Sequence, residues 1–306
     1  MNAKGFADWV AVDWGTTHLR AWAMAHDGTV QAQAGSQDGM GRLARHEFEP
    51  ALLALIDDWI GPRPTPVVAC GMVGARQGWV EAPYTPVPVA PHTLRPVPVP
   101  HVGDPRVRLW IVPGLSQTKP PDVMRGEETQ ITGFLVAQPT FDGVLCLPGT
   151  HTKWVRISAA EVVNFQTYMT GEVFDLLAHQ SVLRHDVAKE GAMDHLVFQA
   201  AVDDALSRPE RMAQRLFALR AGAILDGTTP AATRARLSGT LIGAELSAAR
   251  PYWLGQDVVV AGAQGLAHLY AHALRGQGAQ TQTIADDVLT QTGLTHFYTS
   301  QIQGVF

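Results

Sequence analysis

The chain has 306 residues, of which 46% are hydrophobic and 17% charged, and its formal net charge is −5. That composition excludes an intrinsically disordered chain, and the lack of a basic excess excludes nucleic acid as a partner. The length suggests about two domains, no apolar run is long enough to span a bilayer, and the first ten residues lack the apolar stretch of a secretory leader.

In chain order, WVAVDW (9–14) reads as a buried strand, GTT as a turn, HLRAWAMA (18–25) as a half-buried strand and TVQAQAG (29–35) as a third, together an antiparallel meander. Apolar spacing predicts a helix over 48–60, and PVVACG (66–71) a short buried strand. Prolines dominate 83–121, which reads as an ordered cap of edge or irregular structure, with a clear strand over 107–114. A helix is predicted over 126–138, then strands over 143–149 and 150–157. Helices dominate 171–249, DVVVAG (257–262) is a last strong strand, and a helix follows over 265–274. Two cysteines, Cys70 and Cys146, each lie in an apolar run and read as buried free thiols, which suits a reduced, cytoplasmic setting.

Chemistry concentrates at three turns. Asp13 ends a buried strand ahead of Gly15, Thr16 and Thr17. Glycine lets backbone N–H groups approach an anion, and the threonines add hydroxyl donors. A carboxylate beside phosphate oxygens needs a cation between them, so Asp13 predicts Mg²⁺. Arg20, on the returning strand, could balance a transferring phosphoryl group. A second strand-to-strand turn carries Gly149, Thr150, His151, Thr152 and Lys153. The third, Gly262-Ala263 after VVVA, leads into a helix and suits close approach by a flat nucleoside. No P-loop, nucleophile elbow or dinucleotide fingerprint is present.

The order of these turns resembles the actin-like fold of sugar kinases, where they are the phosphate-1, phosphate-2 and adenosine motifs. The resemblance implies an α/β, two-domain actin-like (ribonuclease H-like) ATPase fold with ATP and Mg²⁺ as cofactors. Ala263 departs from the paired glycines usual in the adenosine motif. The expected domains are 1–120, with the phosphate-1 hairpin and the proline-rich cap, and 121–306, with the other two motifs and a last helix able to pack back on the first domain. A cleft between them is the expected ligand site, closing over both ligands to exclude water.

An alcohol kinase needs a group to accept the hydroxyl proton. Glu127 and Glu128, at a predicted helix start before the second turn, are the candidates, and Glu127 is marginally preferred. DWGTTHLRAW, GMVGARQGWVEAPY (71–84), PGLSQTKPPDVMRGEETQITG (113–133), LPGTHTKWV and FQTYMTGEVFDLL (165–177) are similar, in matching order, to the 2-dehydro-3-deoxygalactonokinases. That resemblance implies phosphorylation of 2-keto-3-deoxygalactonate at its 6-hydroxyl by ATP. The expected contacts to the sugar acid are Trp14, Arg76, Gln77, Trp79, Tyr84, Arg125, Thr170 and Glu172. Arg76 or Arg125 would hold the carboxylate, and capping a helix is an equal role for Thr170. The C4 configuration, and with it a gluconate-derived substrate, stays open; so do another actin-fold phosphotransferase and a non-catalytic actin-fold protein. Neither membrane nor nucleic acid is an expected partner, and a homodimer is allowed.

Overall fold

The computed structural model describes residues 5–305, so the first four residues of the stretch read as leaderless lie outside it. The chain divides into two units, one of residues 5–141, 157–164 and 286–305, the other of 142–156 and 165–285.

The first unit opens with β1 (Trp9–Trp14), β2 (Leu19–Met24) and β3 (Val30–Ser36), the expected antiparallel meander. α1 (Phe48–Ile56) buries Phe48, Leu52 and Ile56, spaced four residues apart, against this sheet's core. Each such burial stabilises the fold by roughly 1.5–3 kcal/mol. The helix stops at Ile56 and tightens into a 3₁₀ turn over Asp57–Trp59, short of the expected end at residue 60. β4 (Thr65–Gly71) pairs parallel to β1, which explains why both strands are almost wholly apolar: each has a neighbour on both sides and a covered face above and below.

The proline-rich stretch is ordered. It holds β5 (Tyr84–Pro86), the two-residue β6 (Val97–Pro98), β7 (Val107–Ile111), β8 (Gly114–Thr118) and β9 (Pro121–Met124). The main sheet runs β3-β2-β1-β4-β7-β6, and β5-β8-β9 form a small second sheet. Proline-bearing β6 takes the edge, where a missing N–H leaves no ladder bond unmade. α2 (Glu127–Ala137) follows directly.

The second unit contains β10 (Gly143–Leu147), β11 (Thr152–Ser158) and β12 (Glu161–Tyr168), though the hairpin tip 157–164 counts with the first unit. Then come α3 (Thr170–His179), α4 (His195–Ser207), α5 (Met212–Leu225), α6 (Pro230–Ala248) and the short α7 (Arg250–Trp253). β13 (Val258–Gly262), α8 (Gln264–Gly276) and β14 (Thr281–Ala285) complete it, in a sheet ordered β12-β11-β10-β13-β14. Trp154, Phe198, Tyr270 and Trp253 anchor its core. β12 and β14 are both absent from the sequence-based expectation. They are the edges of the sheet and are partly exposed, so their sequences carry no continuous apolar run. Two α/β units, each opening on a strand–turn–strand element, make the two-domain actin-like architecture.

The division falls at 141/142 instead of the expected 120/121. β9 pairs with β8, and α2 packs on the last helix, α9 (Asp286–Phe297), which belongs to the first unit. The two helices approach through reciprocal glycines. A Cβ on Gly133 would lie 2.0 Å from the Leu289 carbonyl oxygen, and one on Gly293 would lie 2.1 Å from that of Thr129. Helix propensity favours alanine over glycine by about 1 kcal/mol, but here overpacking of backbone on backbone outweighs it. Gly133→Ala and Gly293→Ala are each expected to lower stability by about 2–3 kcal/mol. The urea midpoint of the full chain measures this, and unchanged or raised midpoints would contradict so tight a crossing.

Candidate active site

Asp13 lies at the end of β1, and the turn after it is closed by the Gly15 N–H donating to the His18 carbonyl at 2.9 Å. A neighbouring loop takes up the turn's own carbonyls: the Met40 N–H donates to Gly15 at 3.0 Å and the Gly41 N–H to Thr16 at 2.9 Å. Thr16 and Thr17 are left exposed, and Thr17 Oγ1 lies 3.0 Å from His18 Nδ1. A cavity of about 550 Å³ opens here, lined by Asp13, Gly15, Thr17, His18, Arg20 and Ser36 among others. Arg20 is heavily paired. It donates to Asp13 at 2.5 Å and to Asp287, and lies 3.9 Å from Asp286. Burial works against its charge, yet the three carboxylates hold its pKa above the ordinary guanidinium value. Burial, then Asp287, pushes the Asp286 carboxyl upward. Asp286 and Asp287 were not among the expected site residues; they arrive from the far end of the sequence and carry no local motif.

The start of α2 abuts the end of β4. Gly126 is its N-cap at φ 107°, and a Cβ there would meet the Gly71 Cα at 3.3 Å. Gly71 is in register with Trp14, so Asp13 and the two glutamates share one corner of the unit. Each glutamate reaches back to satisfy a backbone donor: Glu127 accepts from the Arg125 N–H at 3.1 Å, Glu128 from the Gly126 N–H at 2.7 Å. Their environments differ. Glu128 is fully buried, its second oxygen accepts from Thr129 Oγ1 at 3.2 Å, and burial followed by repulsion from Glu127 raises its pKa to about 8. Glu127 is half-buried. Glu128 is thus enclosed and its carboxyl is pushed toward the acid form, whereas Glu127 is the more accessible of the two.

Arg125 is buried, with Nη2 donating to the Ala82 carbonyl at 2.7 Å and the guanidinium 4.3 Å from the ring centroid of half-exposed Tyr84. Its Nε and Nη1 are buried without a hydrogen-bond partner. Arg76 and Gln77 are exposed; the loop carrying them is held by Arg45, which donates to the carbonyls of Arg76 and Gly78. Two expected sugar contacts lie in the core of the unit. Trp14 is fully buried, donates Nε1–H to the Asp38 carbonyl, and packs on Phe48 and Trp79 at centroid distances of 5.1 and 6.3 Å. Trp79 is only 8% exposed in that same aromatic cluster. Both indoles are core, because the strand end and the following loop close over one apolar pocket.

In the second unit, Gly149 and Thr150 form the turn between β10 and β11, and the Thr150 carbonyl accepts from the Glu172 N–H at 2.9 Å. His151 Nε2 lies 2.5 Å from the Glu172 carboxylate. Thr170 and Glu172, expected at the sugar, therefore belong to this turn, where the first turn of α3 meets it. Lys153, the other cation expected at the phosphates, is 4% exposed within β11. Thr152 is fully buried and hydrogen-bonds to the Tyr270 hydroxyl at 2.9 Å. A cavity of about 310 Å³ lies over the turn, lined by Gly149, Thr150, Thr170 and Phe174 and by Leu241 and Leu269 of α6 and α8. Gly262 and Ala263 lead into α8, but the wall is made by residues one and two turns further on. Its mainly apolar lining above a glycine turn suits a nucleoside with its phosphates at the turn.

Glu128 sets a pH dependence. Its folded pKa of about 8 lies above the ordinary 4.5. Its contribution to stability is full below the unfolded value and is lost as pH rises through the folded one. Stability is expected to fall between pH 5 and 8 with a component of about 1.4 kcal/mol per pH unit from this group. Glu128→Gln should remove that component in urea titrations across the range; an unchanged slope would contradict the buried, protonated state.

The family model described as 2-keto-3-deoxy-galactonokinase matches residues 13–297. A protein of Rhizobium meliloti (strain 1021) named "Probable 2-dehydro-3-deoxygalactonokinase DgoK1" is 41% identical over 304 residues, covering 96% of this chain and 97% of its own. The 2-dehydro-3-deoxygalactonokinase of Escherichia coli (strain K12) is 36% identical, with 94% and 96% covered. A crystal structure from Sinorhizobium meliloti, provisionally assigned the same activity, aligns with a TM-score of 0.85 at 38% identity over 95% of this chain and 98% of that one. The glycine–threonine turn after β1, the glutamate pair opening α2 and the second turn above a nucleoside-sized cavity thus occur in a chain that belongs to the 2-keto-3-deoxy-galactonokinase family.

Proposed function

We propose that this enzyme transfers the γ-phosphoryl group of ATP to the 6-hydroxyl of 2-dehydro-3-deoxy-D-galactonate, giving the 6-phosphate and ADP in galactonate breakdown. One observation carries the acid specificity: the buried Arg125 guanidinium, stacked on Tyr84, with two N–H groups unmatched. Buried unmatched donors are costly until an anion takes them, and a charged hydrogen bond from a guanidinium to a carboxylate is stronger than a neutral one. Arg125 is two residues before Glu127, so the acid end and the proton acceptor are set by one short segment. Arg76, Gln77 and Tyr84, all exposed, remain the proposed contacts to the hydroxyls of the sugar acid.

Glu127 accepts the proton of the attacking hydroxyl. Its position in the first turn of α2 favours its negative charge in the resting state. Gly15 to Thr17 offer backbone N–H groups and hydroxyls to an anion, and the separate turn of Gly149 and Thr150 offers the same below the cavity of its own unit. The nucleoside takes the 310 Å³ cavity over the second turn. The residues present fit Mg²⁺: among the described residues no cluster of three or more ligating side chains exists, and a single strand-end carboxylate, Asp13, suits an ion that takes most of its ligands from phosphates and water. Bound there, the metal supplies charge neutralisation on the polyphosphate. Arg20, already beside Asp13, is placed to add a second positive charge. Among the described residues no helix is long and apolar enough to cross a membrane; the proposed compartment is the cytoplasm.

A coupled ADP-release assay over a panel of 2-keto-3-deoxy sugar acids tests the activity. Turnover should require the acid and favour the galacto configuration, and ATP hydrolysis indifferent to every acid would sink it. Glu127→Gln should lower kcat by about 10²–10⁴-fold, with a smaller loss for Glu128→Gln. Arg125→Ala should raise the KM for the acid by about tenfold or more, Arg125→Lys should not restore it, and Arg76→Ala should change it less. Equal effects at the two arginines would move the carboxylate elsewhere.

A further inference from the structure

α6 buries a continuous run from Leu237 to Leu246, interrupted only at Ala244, and a single carboxylate, Glu245, lies in it. Glu245 is 4% exposed. Its Oε1 accepts from Trp154 Nε1 of β11 at 2.7 Å. Its Oε2 accepts from Thr170 Oγ1, the first residue of α3, and from the Tyr270 hydroxyl of α8 at 2.8 Å. All three donors are neutral. Since Tyr270 spends its only proton on Glu245, the Thr152–Tyr270 bond has Thr152 as donor, and a chain runs from β11 through α8 to the carboxylate. Thr170 and Tyr270 also line the 310 Å³ cavity with Gly149 and Thr150. The buried carboxylate thus stands behind the cavity wall and ties together the strand after the phosphate turn and two of the helices that line it.

We propose that Glu245 is a positioning residue for the nucleotide: by drawing the hydroxyl protons of Thr170 and Tyr270 inward, it leaves Thr170 facing the cavity as an acceptor only, so that this point takes a nucleoside hydroxyl or amine and repels phosphate oxygens. This rests on the assignment of that cavity to the nucleoside. An ionised carboxylate is a far better acceptor for hydroxyls than its acid form, and charged hydrogen bonds are worth more than neutral ones. Burial raises the Glu245 pKa to about 7, against the pull of its three hydrogen bonds. The accepting form therefore dominates above pH 7 and fades below it. The titratable groups facing Glu245 are Cys146, Tyr168 and Tyr270, whose pKa values burial raises, with Tyr168 at about 12. All three stay protonated between pH 6 and 8. Asp175 and Arg234 line the same cavity, and His151 is paired with Glu172.

Steady-state kinetics of the full chain tests this. At pH 8, Glu245→Gln should raise the KM for ATP about tenfold, with kcat and the KM for the sugar acid within about twofold of wild type. Thr170→Val should reproduce that change, and the double variant should be no worse than either alone, because both remove one interaction. The ratio of variant to wild-type KM should shrink toward one at pH 6. Using the ratio cancels titration of the nucleotide itself. A pH-independent ratio, additive losses, or equal rises in both KM values would overturn the proposal in favour of a merely structural carboxylate. If Glu245→Gln does not fold, Thr170→Val carries the same pH test alone. Met193→Trp, which fills the cavity from outside the hydrogen-bonded set, separates the premise from the proposal. Unchanged ATP kinetics in that variant would remove the nucleoside from the cavity and overturn both. Weakened ATP there with no effect at Glu245 would overturn the positioning role alone.

Discussion

The crossing of α2 and α9, backbone against backbone at Gly133 and Gly293, is the contact on which the first unit's chemistry depends. It holds the last α-helix, which follows the second unit in the sequence, against the helix whose first turn carries Glu127 and Glu128. The same crossing delivers Asp286 and Asp287 to Arg20, and Arg20 in turn to Asp13. Side chains of any size in the seam would move both helix starts, and the glutamates and the guanidinium would lose their common corner.

Two deeply buried glutamates show how surroundings divide one chemistry into separate tasks. Glu128 is fully buried with another carboxylate beside it, and both effects push it toward the acid form. Glu245 has no carboxylate in its hydrogen-bonded set; three neutral donors converge on it and oppose the cost of burial. Desolvation raises both. Both also accept hydrogen bonds; what differs is that Glu128 has the Glu127 carboxylate beside it, while the donors to Glu245 come from three other elements of the second unit.

Much of this architecture was legible in the sequence. The β1–β2–β3 meander and the interior strands β4, β10 and β13 are apolar runs ended by glycine or a turn, and such runs have few other ways to fold. The glycine and threonine turns were legible for the same local reason. Edge strands β12 and β14 were not, since one exposed side removes the pattern. Nor were the fates of Trp14 and Trp79: adjacency to a motif does not say whether an indole faces a ligand or Phe48. The roles of Glu245, Asp286 and Asp287 depend on partners from 25 to 267 positions away, which only the fold brings near. Nor was the difference in burial between Glu127 and Glu128, which two adjacent residues of one type cannot show.

Cys70 lies in β4 at the heart of the first unit, and Cys146 in β10 at the heart of the second. Burial, with Asp13 near one thiol and Glu245 near the other, pushes both well above the ordinary thiol range. Enclosed and protonated, neither is a nucleophile in the folded chain. Each unit therefore carries its own internal reporter: alkylation of Cys70 records opening of one, alkylation of Cys146 opening of the other, and the two rates give the local stabilities of the halves without any engineered label.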